Sequence, residues 1–166
     1  MSLEFDKIHS KIHSFESIEN LVEQWRTDHK TIVFTNGCFD LLHFGHLHYL
    51  AAARDLGDKL VVGLNSADSV KRLKGAHRPL NDELTRQHLL AALQFVDAVV
   101  VFQEDTPFEL IQCVRPDILV KGGDYQPNQI VGADIVLRGG GKVLSLPFVE
   151  GYSTTNLESK IRNSGV

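Results

Sequence analysis

Along this chain the apolar residues fall into short continuous runs and helically spaced sets, and the two kinds alternate. Ile32-Val33-Phe34, Lys59–Leu64, Ala98–Phe102, Ile118–Val120 and Lys142–Leu146 are brief apolar runs bounded by turn residues. Such runs mark strands covered on both faces, as in a parallel sheet. Residues 1–13 are polar and show no firm pattern. From Phe15, apolar residues recur as Phe15, Ile18, Leu21, Val22 and Trp25 behind Ser14, a plausible N-cap. This amphipathic helix is expected to lie across the sheet edge or against a partner subunit.

The segment from His46 to Leu56 predicts a helix with Leu47, Leu50 and Ala51 inward, stopped by Gly57. Asn65 and Ser66 cap a short helix toward Leu73, and the basic, Gly/Pro-punctuated stretch 71–79 reads as a loop. Asn81 caps a helix through Gln94 carrying Leu84, Leu90 and Leu93. Thr106-Pro107 opens another to Val114. Pro127 opens a further helix, broken by Gly139–Gly141, and Ser153-Thr154-Thr155 caps a last one whose apolar positions Leu157 and Ile161 lie four apart. With short links throughout, this alternation predicts one doubly wound, Rossmann-like α/β domain. It has a five-stranded parallel sheet, helices on both faces and right-handed crossovers. Residues 1–30 form an N-terminal extension, and 31–166 form the domain proper.

Ligands of such sheets bind beyond the strand C-termini, where the winding reverses. Glycines and small polar residues follow four of the five expected strands: Asn36 and Gly37, Asn65 and Ser66, Lys121 to Asp124, and Gly151 with Ser153 to Thr155. All should share one sheet edge. The segment Thr31–Leu50, TIVFTNGCFDLLHFGHLHYL, dominates it. Its strand-to-helix loop contains Gly37, Asp40 and Gly45 and sets His43 and His46 three apart, at a helix start suited to phosphate. Two imidazoles there predict a cationic, hydrogen-bonding pocket for an anion. Zinc ligation is the poorer reading, because the spacing is not i, i+4 and no thiolate or carboxylate cluster accompanies it. The loop is neither a Walker A nor a G-x-G-x-x-G motif. A site rich in histidine and lysine but poor in carboxylates suits phosphoryl or nucleotidyl transfer, where positioning and charge neutralisation dominate.

Composition narrows the partners. The 166 residues suffice for one domain, and 43% hydrophobic with 23% charged content is ordinary for a globular protein. A net charge of −4 disfavours non-specific nucleic-acid binding, so any phosphate recognition is local. Cys38 and Cys113 form no metal motif and are expected to be reduced. No long apolar run or signal-peptide pattern is present, so a cytoplasmic protein without membrane contact is expected.

The segment GCFDLLHFGH (37–46) with STT (153–155) resembles the cytidylyltransferase-like nucleotidyltransferases and their H-x-G-H signature. The likeness runs from Thr31 to Ile161. More narrowly, TNGCFDLLHFGH, NS (65–66), KRLKG (71–75), RP (78–79), VKGGDY (120–125) and EGYSTTN (150–156) are similar to the adenylyltransferases that make ADP-heptose. The resemblance implies transfer of AMP from ATP to D-glycero-β-D-manno-heptose 1-phosphate, for lipopolysaccharide. It casts His43, His46 and Lys71 or Lys74 as catalytic. The nucleotide would be held by Thr35, Asn36, Gly37, Cys38, Phe39, Arg86, Lys121, Gly122, Asp124, Ser153, Thr154 and Thr155. Magnesium would bridge phosphate oxygens rather than protein side chains.

The resemblance also implies a homodimer, with the Phe15–Trp25 helix a candidate contact. The length leaves no room for the sugar-kinase domain fused to this activity in some bacteria, so a separate kinase and phosphatase are expected. One departure bears on the nucleotide. Glycerol- and choline-phosphate cytidylyltransferases carry arginine where this chain has Phe148, which favours ATP over CTP; CDP-glycerol synthesis from CTP is the alternative. A nucleotide-sensing module without catalysis is disfavoured by the intact His43, His46, Lys71 and Ser153. A tRNA-linked reading of the synthetase type lacks sequence for a tRNA-binding domain.

Overall fold

The computed structural model describes residues 2–164; Met1, Gly165 and Val166, at the outer ends of the two expected segments, lie outside it. The elements are α1 (Leu3–His9), β1 (Ile12–His13), α2 (Phe15–Thr27), β2 (Ile32–Gly37), α3 (Phe44–Arg54), β3 (Lys59–Asn65), α4 (Ala67–Lys74) and α5 (Glu83–Ala91). They continue as β4 (Ala98–Phe102), α6 (Phe108–Val114), β5 (Ile118–Gly122), a 3-10 turn (Pro127–Gln129), α7 (Ala133–Arg138), β6 (Lys142–Leu146) and α8 (Thr154–Asn163).

All strands are parallel, in the order β1-β4-β3-β2-β5-β6. The sheet therefore has six strands, not five. The extra one is the two-residue Ile12–His13, paired with Val99 and Val100 at the edge. From β2 the chain winds outward through β3 and β4, then returns to the other side of β2 through β5 and β6. The reversal lies between β2 and β5, and this topology places the ligand crevice there.

Strand alternation divides the core in two. Ile32, Phe34, Val61, Val100 and Leu119 face α2, α6 and α7, whereas Val33, Leu60, Val62, Val99 and Val120 face α3 and α5. Coverage of both faces explains the continuous apolar runs. The apolar stripe of α2 is part of the first core: Ile18 and Val22 are fully buried and Trp25 nearly so. Helix α2 thus roofs a face of the sheet instead of crossing its edge, and the stripe is not free for a partner subunit. Ser14 and Ser17 form a reciprocal capping box at its start.

Local boundaries differ for identifiable reasons. Helix α3 begins at Phe44, two residues early, and Leu47 points outward while Tyr49 and Ala53 join Leu50 in the core. Helix α4 continues to Lys74, so the loop after it is shorter than expected. Asp82, not Asn81, caps α5 by accepting the Thr85 N–H, and Leu84 lies on its solvent side. Pro107 itself occupies the cap position of α6, without a side-chain bond. The helix expected after Pro127 is split into the 3-10 turn and α7. Helix α8 has no buried residue, and Ile161 is exposed.

Candidate active site

At the C-terminal edge of the sheet, over the β2/β5 reversal, lies a cavity of about 550 Å³. Its floor is the end of β2 and the following loop (Asn36 to Asp40). One wall is the start of α3, with His43, Gly45, His46 and Tyr49. The others are Lys121 and Gly122 from β5, Lys74 from α4, and residues 148–154 leading into α8. Glycines and polar residues that the sequence scatters after several strands are therefore brought together.

His43 stands at the N-cap of α3 with no side-chain capping bond, which leaves the first helical amides without a side-chain acceptor. The rings of His43 and His46 stack with centroids 3.8 Å apart and planes 20° from parallel. Phe39 meets His46 edge-on at 5.3 Å, its own backbone in the left-handed region at φ 43°, a conformation that stores strain at functional loops. The Nδ1 atoms of both histidines are buried without a partner. Gly45 leaves room for this stack: a Cβ there would lie 3.1 Å from the His43 ring and from Tyr152 Cβ, so one of them would have to shift.

The imidazoles do not form the expected cationic pair. Burial, the neighbouring His43 and Lys74 push His46 down to about 4, and burial also lowers His43. Both rings are therefore neutral at neutral pH, and the positive charge at the site comes from Lys74 and Lys121. Burial depresses the Lys121 ammonium as well, and it raises the Cys38 thiol, which stays protonated. Both cysteines are free.

Several expected ligands hold the site together from behind. Thr35 is fully buried and shares a 2.6 Å hydrogen bond with Tyr49, whose hydroxyl donates to the Val120 carbonyl; this ties α3 to β2 and β5. Arg86 is buried and donates from Nη1 to the carbonyls of Cys38 and Asn65, clamping the loop after β2 to the end of β3. Neither side chain lines the cavity. Lys71 pairs with Asp68 on the exposed side of α4, Asp124 is exposed, and Thr155 faces away in the first turn of α8. Of the alternatives at the end of α4, Lys74 faces the cavity and Lys71 does not.

What sequence reading missed is the long-range pairing of Asp40 and Arg78, which it met only as parts of local motifs. Asp40 accepts from the Leu80 and Asn81 amides at 2.8–2.9 Å and from Arg78 Nη1 at 2.8 Å. Burial opposes its ionisation, but these donors outweigh it and hold the carboxyl below the usual range. Arg78 also pairs with Glu158 of α8. One guanidinium thus joins the histidine-bearing loop to the helix whose N-terminus, with Ser153 and Thr154, closes the cavity. Phe148, 72% exposed, packs against Gly122, where an added Cβ would sit 3.0 Å from its ring.

Among the described residues, no cluster of three or more His, Cys, Asp or Glu side chains is arranged to hold a metal ion. No helix among them is long and apolar enough to cross a membrane.

Comparison with known proteins places these features in context. A family model described as Cytidylyltransferase-like matches residues 34–157. The chain is 57% identical over 160 residues to the bifunctional protein HldE of Syntrophotalea carbinolica, covering 96% of this chain and 32% of that protein. It is 52% identical to the bifunctional protein HldE of Campylobacter jejuni, covering 98% of this chain and 36% of that one. The chain thus spans about a third of the length of these curated relatives. A crystal structure of the lipopolysaccharide core biosynthesis protein from Thermoplasma volcanium superposes with a TM-score of 0.60 and 30% identity, over 75% of this chain and 99% of that one.

Proposed function

The chain belongs to the cytidylyltransferase-like family of nucleotidyltransferases, and from that premise we propose that it transfers AMP from ATP to a sugar 1-phosphate. The acceptor in this reading is D-glycero-β-D-manno-heptose 1-phosphate, and the products are ADP-heptose and pyrophosphate, for lipopolysaccharide core synthesis. The observation that carries the reading is the stacked His43–His46 pair facing, with Lys74 and Lys121, into the crevice at the β2/β5 reversal.

The chemistry follows from this arrangement. A sugar-phosphate oxygen is largely ionised at neutral pH and attacks the α-phosphorus in line. A new O–P bond forms as the bond to pyrophosphate breaks, and the electron pair leaves with the pyrophosphate. The nucleophile needs no general base, in keeping with a cavity whose buried carboxylate, Asp40, is occupied by Arg78 and two amides. Neutral imidazoles donate hydrogen bonds to the charge that develops at phosphorus, and water exclusion strengthens them. The α3 and α8 N-termini and Lys74 and Lys121 offset the polyphosphate charge. In this reading Mg2+ would enter with ATP as part of the substrate, since this ion is usually bound through substrate phosphates and only one or two carboxylates.

Phe148 at the place of the cytidylyltransferase arginine supports ATP as the nucleotide. A cytoplasmic homodimer completes the reading, with no nucleic-acid or membrane partner. Because Ile18, Val22 and Trp25 are buried in the core, a dimer contact through α2 would have to use its exposed face. The test is a panel of ATP and CTP against heptose 1-phosphate, other sugar 1-phosphates and glycerol 3-phosphate, read by mass spectrometry. ADP-sugar formation from ATP supports the proposal. Preferential CDP-glycerol formation from CTP overturns it.

A further inference from the structure

The crevice opens where two neighbouring strands part. β2 and β5 pair at Val33–Ile118 and Phe34–Leu119, and their pairing ends there. Beyond that level β2 continues beside β3 to Gly37, and β5 continues beside β6 to Gly122. The next residue of each strand, Thr35 and Val120, is reached by a side chain from α3. The Tyr49 hydroxyl lies 2.6 Å from Thr35 Oγ1 and 3.2 Å from the Val120 carbonyl oxygen. Building on the nucleotidyl-transfer reading, we infer that Tyr49, together with Thr35, is a positioning residue for the reaction. Its hydroxyl bridges the parted strands, fixes the width of the crevice and seats the histidine turn above it.

Three observations carry this. First, the bonds have one direction. Tyr49 donates its single hydroxyl hydrogen to the Val120 carbonyl, so Thr35 donates to the Tyr49 oxygen. Thr35 is fully buried and Tyr49 nearly so. Burial pushes the Tyr49 phenol up to about 12, so it keeps its donated proton at neutral pH. Removing this hydroxyl takes a partner from two buried groups at once, and unpaired buried groups are costly.

Second, the surroundings are otherwise apolar. Val33, Leu50, Val62 and Val120 share this core, and α3 buries only Tyr49, Leu50 and Ala53. Among the described residues, the two Tyr49 bonds are the only side-chain hydrogen bonds from α3 to β2 or β5. Apolar contacts are non-directional and permit small slides, whereas a fully satisfied buried polar network specifies one arrangement.

Third, the bridge lies directly behind the histidines. Tyr49 follows His46 by three positions, one turn along α3, and lines the cavity with His43 and His46. On the opposite lip, a Cβ added to Gly122 would lie 3.3 Å from the Tyr49 ring. The ring thus touches the end of β5 beside Lys121 as well. A slide of α3 would move both imidazoles relative to Lys121, and misplacement by about 1 Å can cost ~10²-fold in rate.

The test compares wild type with Tyr49→Phe, Thr35→Val and Thr35→Ser. Val99→Ala, which thins the same core on β4, is the control. Two readouts are taken on the full chain: steady-state AMP transfer, and the imidazole NMR signals of His43 and His46 in the free protein. Tyr49→Phe and Thr35→Val are expected to shift both histidine signals and to lower kcat about tenfold or more. KM for ATP should stay within about threefold, since the hydroxyl bonds are directed into the protein and not at the nucleotide. Thr35→Ser keeps the hydroxyl and should recover most of kcat. Val99→Ala should lower the melting temperature and leave kcat within about twofold of wild type. The inference is overturned if the histidine signals of Tyr49→Phe and Thr35→Val match wild type. It is equally overturned if both variants keep wild-type kcat, or if Val99→Ala loses as much kcat as they do. The NMR readout needs no turnover. Shifted signals in both variants of a protein that transfers no AMP would overturn the proposed reaction and leave the positioning role standing.

Discussion

His43 and His46 lie ring against ring, 3.8 Å between centroids, and neither Nδ1 has a hydrogen-bond partner. Two buried polar atoms left unpaired at the mouth of a helix cost stability. The fold holds them there through Phe39 on one side and Gly45 on the other. Buried polar atoms without a partner are rare in folded proteins and call for a reason, and both rings line the cavity.

The stack makes stability fall with acidification. Unfolded, His46 binds a proton near its ordinary value of 6.5; folded, it does so only near 4. Between those values the unfolded chain holds more protons, so stability is full above about pH 6.5 and declines as pH drops toward 4. Urea unfolding at pH 7 and pH 5 is expected to show this decline in wild type and a shallower one in His46→Gln.

Gly45→Ala separates stability from activity. Alanine favours a helix over glycine by up to ~1 kcal/mol, so melting is expected to stay level or rise. The new methyl group displaces the His43 ring, and turnover is expected to drop about tenfold or more. Unchanged turnover would show that the ring's position is not critical.

The two lysines of α4 should part company. Lys74→Ala removes a cavity cation and is expected to cost roughly 10²–10³-fold in kcat/KM. Lys71→Ala breaks only an exposed pair with Asp68, and such pairs contribute little. Steady-state kinetics on both variants, side by side, decides between them.

Arg78→Ala strips the buried Asp40 carboxylate of its cation and α8 of its link through Glu158. Full rupture of a buried pair costs ~3–5 kcal/mol. Asp40 keeps two amide donors and Arg78 is partly exposed, so ~2 kcal/mol is expected, read by urea unfolding. Arg78→Lys should recover part of it.

Where one stretch of chain carries the cause, the sequence was readable. Lys59–Asn65 and Ala98–Phe102 are buried on both faces, and their unbroken apolar runs say so. The place of the HFGH turn at the crevice was legible because glycine and histidine spacing is local. Ile12–His13 was invisible because two residues cannot display a period, and only the Val99–Val100 edge makes them a strand. The contacts of buried Arg86 and the Asp40–Arg78–Glu158 chain join residues 21–80 positions apart and leave no local trace. The cationic imidazoles failed for a related reason: burial set their charge, and burial is a property of the folded whole.

The central claim is that the paired imidazoles stabilise charge at the transferring phosphorus. It is tested most directly by single-turnover AMP transfer with His46→Ala at saturating ATP, alongside circular dichroism. The expected result is a native spectrum with the rate lowered roughly 10²–10³-fold. A folded His46→Ala protein transferring AMP within a few-fold of the wild-type rate would contradict it.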